Sequence, residues 1–355
     1  MAESNGQSVI AVTMGDPAGI GAEVIVKALA NRALRNMARW VIFGSNECLA
    51  YAADLEGIDP YWWRLPRTNA GQGWPKYHEV VVVDYPEYSD ASVINLSEPG
   101  PTQRGGEASL AFLADAIRSV TAPAGQPDHC DALVTGPISK TSWQLAGLKR
   151  FPGHTELLAD RTGAKRYAMM FVSRPLKVAL ATIHLPLMAV RDVLTLGRVL
   201  EPIELGHQAC REYFGIERPR IAVCGLNPHA SEGGLFGDDE YRVIEPAVKR
   251  ARDLGIMASG PFPADTIFNA AVEGRYDLVV AMYHDQGLIP VKLLARDEAV
   301  NLTLGLPIVR TSPDHGTAFD IAGENEANPG SMTAALKLAA EIASRRTAGT
   351  GSGGR

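Results

Sequence analysis

Three histidines, His184, His229 and His284, stand just beyond apolar runs that read as buried strands, Val178 to Ile183, Ile221 to Cys224 and Leu278 to Met282. They fall in the segments ATIHLP, CGLNPHASEGG and AMYHDQG. In open α/β sheets, ligands gather outside the carboxyl ends of the strands, so imidazoles delivered there can converge on one point. Imidazole is the commonest transition-metal ligand, and three protein ligands leave a position for substrate, the catalytic arrangement of zinc. The pattern predicts a divalent metal site, with zinc first and cobalt, nickel or manganese as alternatives. Magnesium prefers oxygen and would need nearby carboxylates. Two are available: Asp285 follows His284 directly, and Asp265 lies in GPFPADT. Either can orient a ligand or accept a proton, although Asp265, just before an apolar helical run, equally suits a helix cap. His207, His78 and His129 lie beside charged residues or in polar loops and read as solvated side chains.

A second set of residues suits an anion. Pro152-Gly153-His154-Thr155-Glu156 opens a helix and offers free N–H groups, an imidazole and a hydroxyl. Lys292, Asn301 and Arg310 follow the third histidine in one stretch, each near a strand end. Together these five side chains are expected to bind a small phosphorylated or carboxylated metabolite through charge-assisted hydrogen bonds. The turn Gly15-Asp-Pro-Ala-Gly-Ile-Gly21, between a strand and a helix, has the spacing G-x-x-x-G-x-G. That is neither the dinucleotide fingerprint nor a P-loop, and tight turning explains it as well as ligand contact does.

The elements that must position these groups alternate strand and helix, the signature of α/β layers on a largely parallel sheet. With 355 residues the chain exceeds one ordinary core, and two domains are expected. The first unit is a strand from Val9 to Met14 and a helix from Ala22 to Leu34, followed by a run from Trp40 to Phe43. Asp59 to Pro75, rich in Trp, Pro and Gly, reads as an irregular surface insertion. Val80 to Asp84 is a short strand, and Gly105 to Val120 carries Leu110, Leu113, Ile117 and Val120 on one helical stripe. Thr121 to Asp128 reads as a linker, which sets the domains at 1–128 with 305–345 and at 129–304. Strands at Ala132 to Val134 and Ala168 to Val172 continue the second series, and a helix is expected from Arg198 to Phe214 with Pro202 near its first turn. A last helix spans Met332 to Ser344, and residues 346–355 have the composition of a disordered tail.

The net charge of −6 argues against a general nucleic-acid binder. Cys48, Cys130, Cys210 and Cys224 show no paired spacing, which fits a reducing, cytoplasmic compartment. The start MAESNGQ has no signal-peptide character, and no apolar stretch is long enough to span a bilayer.

The segments GDPAGIG, TGPISK, GHTE, ATIHLP, CGLNPHASEGG, PADTIF, AMYHDQG and VNLTLGLPIVRTSPDHGTAFDIAG, running from about Val9 to Leu338, resemble the 4-hydroxythreonine-4-phosphate dehydrogenases of pyridoxal phosphate synthesis. The resemblance implies a two-domain α/β homodimer, related in fold to isocitrate and isopropylmalate dehydrogenases, with NAD or NADP in the interdomain cleft. It implies His184, His229 and His284 as metal ligands, one of them supplied across the dimer interface, so that the active site lies where the subunits meet. His154, Thr155, Lys292, Asn301 and Arg310 become the substrate and phosphate contacts, and His315, Asp320 and Asn328 the cofactor contacts. Oxidation of the secondary hydroxyl of 4-phosphohydroxy-L-threonine and decarboxylation of the β-keto acid would follow, with Asp265 or Asp285 accepting the proton. Ser231 stands where the family usually has glycine, Leu157 follows GHTE where an aromatic is common, and LFGDDE with QGLIPVKLLA is similar to dehydrogenases of other substrates. Four-carbon aldonate 4-phosphates and a terephthalate-type cis-dihydrodiol are therefore alternative substrates. A metallohydrolase, a phosphate acyltransferase of similar architecture and a non-catalytic phosphate or metal sensor are the alternatives from other classes.

Overall fold

Short runs of β-branched and aliphatic residues, half of them buried along their whole length, supply the strands, as expected where both faces of a parallel sheet are covered. The clearest is Val80–Asp84, VVVVD, buried at all five positions. The computed structural model describes residues 7–90 and 98–351 and divides into two units, Met1–Gly163 with Pro307–Arg355, and Ala164–Leu306. Twelve strands are found among the described residues. They are β1 (Val9–Thr13), β2 (Arg39–Gly44), β3 (Trp63–Pro66), β4 (Val80–Asp84), β5 (Ala132–Thr135) and β6 (Ala168–Val172), then β7 (Lys177–Leu180), β8 (Ile221–Cys224), β9 (Ala258–Phe262), β10 (Leu278–Ala281), β11 (Val300–Leu304) and β12 (Val309–Pro313).

In the first unit the order is β3-β4-β2-β1-β5-β12, all parallel. Leu133 of β5 pairs with Ala11 on one side and Arg310 on the other, so β5 is interior to this sheet. The expected boundary at residue 128 is thereby corrected: the first crossing falls after Gly163 and the return at Pro307. The linker-like segment after Thr121 is a loop within one unit, and local composition could not reveal the long-range pairing of β5. The segment from Asp59 to Pro75 is likewise more ordered than expected. It contains β3, parallel to β4, and a 3-10 turn over Arg67–Gln72. Only Leu65 of β3 is buried, which left little pattern to read.

The helix after β1 spans Gly21–Ala30, and Asn31 ends it. The Asn31 side chain accepts from the Ala33 N–H and caps a separate short helix, Arg32–Arg35, so the single helix expected to Leu34 is two pieces. The helix Gln103–Thr121, capped by Thr102, buries Phe112, Leu113, Ala116 and Val120. The closing helix, Gly330–Gly351, packs on β12 and overruns the tail expected from residue 346; residues 352–355 lie outside those described.

In the second unit the order is β11-β6-β7-β10-β8-β9. β11 and β7 are antiparallel to β6, while β7, β10, β8 and β9 run parallel. Phe171, Val178, Leu180, Ala222, Val279 and Leu288 share its core. The helix Leu196–Glu212 begins at Leu196 rather than Arg198, which leaves Pro202 in its interior. Parallel pairing brings the carboxyl ends of β7, β10 and β8 to one edge, where the three histidine-bearing segments leave the sheet. Among the described residues, no helix is long and apolar enough to cross a membrane.

Candidate active site

At that edge the backbone departs from ordinary geometry. His184, four residues beyond Leu180, has φ 45°. His229, Ala230, Ser231, Glu232 and Gly233 form a left-handed run with φ 54°, 50°, 73°, 45° and 67°. Each non-glycine residue held there costs roughly 1–2 kcal/mol, and such strain concentrates at functional sites. His284 opens the helix His284–Ala295 after an extended Tyr283. Its Nδ1 lies 2.7 Å from Asp285 Oδ1. A carboxylate on Nδ1 sets the tautomer and leaves Nε2 as the lone-pair donor, the usual support of a metal-binding imidazole.

The rings of His184 and His284 are 5.9 Å apart between centroids. Both line a cavity of about 220 Å³ with Ile183, Leu187, Tyr283 and Asp285. His229 does not line it; its ring sits 6.1 Å from that of Phe236. Among the described residues no three His, Cys, Asp or Glu side chains come together as a cation cage. Within the single chain, His184 and His284 approach each other and His229 stands apart. β8 lies two strand spacings, about 10 Å, from β7, and the left-handed turn takes His229 to Phe236 instead. Asp265 is exposed in the first turn of the helix Ala264–Val272, with Pro263 rather than Asp265 at the cap position.

The loops carrying these groups are tied together by side chains that sequence reading missed. Gln286 donates to the Gly225 carbonyl (2.8 Å) and accepts from the Met282 N–H (2.7 Å). The buried Glu240 accepts from the backbone N–H groups of Leu226 and Asn227. The acidic segment GDDE after the double glycine was the available signal. Lys292 is exposed on the helix of His284, and Asn301 sits on β11 opposite Phe171 with a buried Oδ1 that has no protein partner.

The first unit holds the other half of the expected anion set. Arg310, 3% exposed, donates from Nε and Nη2 to Thr135 Oγ1 at 3.1 and 2.6 Å. Burial lowers its pKa to about 10, opposed by Glu156, so it stays a cation at neutral pH. His154 begins the helix His154–Thr162, and Thr155 beside it is buried. Desolvation first and the Arg310 charge second push the His154 pKa well below its usual value, which keeps the ring neutral. Trp143 meets that ring edge-on at 5.3 Å and is itself fixed by a bond to Ser109 Oγ. His154 Nε2 is buried without a protein partner, next to a buried cation. Such an orphan calls for an explanation, and an anionic ligand supplies one.

The glycine turn meets its own protein rather than open space. A Cβ on Gly15 would lie 2.1 Å from the Pro137 carbonyl oxygen, and one on Gly19 2.8 Å from that of Thr317. The Ile20 N–H donates to the same Thr317 oxygen, which docks the turn on the loop after β12. Asp16, buried in this turn, has a pKa raised by desolvation. The loop holds the expected cofactor contacts. His315 is half-buried, with Nδ1 at the Gly316 carbonyl and an unpartnered Nε2, and Asp320 is exposed. Asn328 uses its side-chain oxygen on the Gly330 N–H, at the start of the closing helix. Lys27 anchors the loop, donating to the carbonyls of Asn325 and Ala327 and to Glu23, which in turn accepts from the Ala327 N–H.

The profile of one family, described as pyridoxal phosphate biosynthetic protein PdxA, matches residues 36–339. The chain belongs to the PdxA family. It is 45% identical over 344 residues to a 4-hydroxythreonine-4-phosphate dehydrogenase of Geobacter metallireducens, covering 97% of each chain. It is 42% identical to a D-threonate 4-phosphate dehydrogenase of Salmonella typhimurium, over 94% of this chain and 98% of that one. The solved structure of a 4-hydroxythreonine-4-phosphate dehydrogenase from Klebsiella pneumoniae superposes with a TM-score of 0.79 at 39% identity, over 95% of this chain and 99% of that one. PdxA relatives of this kind are dehydrogenases. The chain is accordingly an oxidoreductase of the pyridoxine-biosynthesis family, and the hydrolase, acyltransferase and sensor readings give way.

Proposed function

We propose that the chain oxidises the secondary hydroxyl of 4-phosphohydroxy-L-threonine, using NAD or NADP and a divalent cation, zinc first. The observation that carries this reading is the pair of imidazoles, His184 and His284, 5.9 Å apart at the carboxyl edge of parallel strands in a PdxA chain. The donor set suits the metal: two neutral nitrogen ligands, one with Asp285 on its far nitrogen, favour a borderline ion such as zinc. His184 and His284 would hold the cation, which would supply Lewis-acid polarisation of the substrate oxygen. A nicotinamide cofactor would supply the acceptor for the hydride from the same carbon.

This chain's own residues bind, orient and move the proton. Arg310 and the Nε2 of His154 meet the phosphate in a dry corner, where a charge-assisted bond is strong. Lys292 and Asn301 complete the substrate contacts. Asp285 is engaged with His284, so Asp265 is the freer carboxylate to accept the hydroxyl proton. His315, Asp320 and the amide nitrogen of Asn328 face the cofactor from the loop that Lys27 anchors. The product is a β-keto acid, which loses carbon dioxide.

A homodimer fits the incomplete histidine set. Leu187 and Met188, after His184, are 62% and 86% exposed in the single chain, and Ile289 and Leu293, after His284, are 66% and 83%. Apolar side chains this exposed beside two ligands suit a second copy that covers them and completes the trio. The four cysteines are free and buried, in keeping with a reducing cytoplasm.

A D-threonate 4-phosphate dehydrogenase at 42% identity keeps an aldonate 4-phosphate as the second substrate reading. The two candidates differ at the carbon beside the carboxylate, amino against hydroxyl, and share the phosphate. The test is reduced-nicotinamide formation by zinc-loaded protein with each phosphorylated acid and each cofactor. Turnover of neither acid, with metal content verified, would overturn the proposal.

A further inference from the structure

Four L residues in succession, His229 to Glu232, are held at positive φ ahead of Gly233. L side chains avoid that region, and a run of them persists only where the surroundings hold it. The surroundings hold this one at both ends. Before the turn, Glu240 Oε1 accepts from the N–H groups of Leu226 (2.8 Å) and Asn227 (2.7 Å), and Oε2 from Asn227 Nδ2 (3.0 Å). Asp239 accepts from the same amide (3.1 Å) and from Arg191 Nε (3.1 Å), which ties the turn to the segment that follows His184. Within the turn, Ser231 is buried at φ 73°, where glycine would sit without strain. Its Oγ donates to the Gly237 carbonyl (2.8 Å) and accepts from the Gly234 N–H (2.9 Å), closing the loop on itself.

We infer that Ser231 and Glu240 are positioning residues, two latches that hold the His229 turn in the shape from which its imidazole reaches a divalent cation. The inference rests on the metal reading above. Its physical content is that the hydroxyl's two bonds outweigh the unfavourable φ. Replacing Ser231 by glycine therefore removes strain and yet loosens the site.

The test uses the full-length protein, titrated with zinc against a chromophoric chelator, with hydrogen exchange over residues 226–237 of the metal-free form. Ser231→Gly should bind zinc about tenfold more weakly, within the 10- to 100-fold range typical of groups that support metal ligands. Exchange at Gly234 should quicken without change in the strands, and excess zinc should restore turnover. Ser231→Ala keeps the strain and loses the bonds, so it should weaken binding further; Glu240→Gln should act on the amides of Leu226 and Asn227. Unchanged or tighter zinc binding by Ser231→Gly, with normal uptake by the wild type, would overturn the inference alone. No zinc uptake by the wild type would overturn the metal reading and the inference together.

Discussion

The two functional corners of this chain are built in opposite ways. Around Arg310 the guanidinium donates to Thr135, Trp143 meets His154 edge-on, the His154 Nε2 is buried without a protein partner, and among the described residues no non-glycine residue of 135–155 or 309–313 has positive φ. Around His184, His229 and His284 the rings are half-buried or exposed, the backbone is left-handed at six residues, and only two rings meet. The first corner is finished by the fold of one unit. The second stores strain and leaves apolar surface uncovered, as expected of a site completed by a cation and another copy. Anion binding should therefore survive damage to the histidine corner, while turnover should not.

The largest expected effect is on turnover in His284→Ala. Loss of a cation that stabilises developing charge removes several kcal/mol, roughly a thousandfold or more in kcat. Inorganic phosphate should still compete in a binding assay on this variant. If kcat fell less than tenfold, the contrast between the corners would collapse. Stripping the wild type with a chelator is the milder version. At a cation concentration about 100 times its Kd, removal should cost about 2.7 kcal/mol of stability, read as a fall in Tm by calorimetry. An unchanged Tm, with zinc uptake shown beforehand, would mean that the folded chain has no preference for the ion.

Arg310→Met removes the charged end of the other corner. Hydrogen bonds to charged groups contribute about 1.5–3 kcal/mol, so KM for the phosphorylated acid should rise roughly 10- to 150-fold. Zinc affinity should not move. A parallel loss of zinc binding would show that the corners are not independent.

Much of this contrast was legible in the chain itself, and the reason differs by feature. Strand ends were readable because buried apolar runs stop where the chain turns polar, which located His184, His229 and His284 to within a few residues of β7, β8 and β10. Arg310 and GHTE were readable as chemistry. Their partners were not: Thr135 meets Arg310 only because β5 and β12 pair across nearly half the chain. β3 was missed because one buried leucine gives no period, and the unit boundary because β5's position is a tertiary fact. The left-handed turn at His229 was hidden for a sharper reason. Asn-Pro-His-Ala-Ser has no glycine to announce positive φ, and the groups that hold it, Glu240 and Ser231, act through backbone amides and carbonyls.

The smallest effect separates the corners by protons. The His154 pKa is lowered in the folded chain, by burial first and the Arg310 charge second. As pH falls below the usual imidazole value of 6.5, the unfolded chain takes up a proton that the folded chain refuses. Stability is therefore intact above that pH and declines below it, by at most about 1.4 kcal/mol per pH unit for one proton. His154→Gln keeps a polar end but cannot titrate, so its urea-unfolding free energy should fall less steeply between pH 6.5 and more acid values. His207 and His315 are lowered too and remain in both proteins, so the difference in slope belongs to His154. Phosphate bound beside the ring would favour its protonated form and make the refusal weaker. Saturating phosphate should then flatten the wild-type slope toward that of the variant and leave the variant's slope nearly unchanged. Equal flattening in both would place the anion elsewhere, and the buried imidazole would be a packing group only.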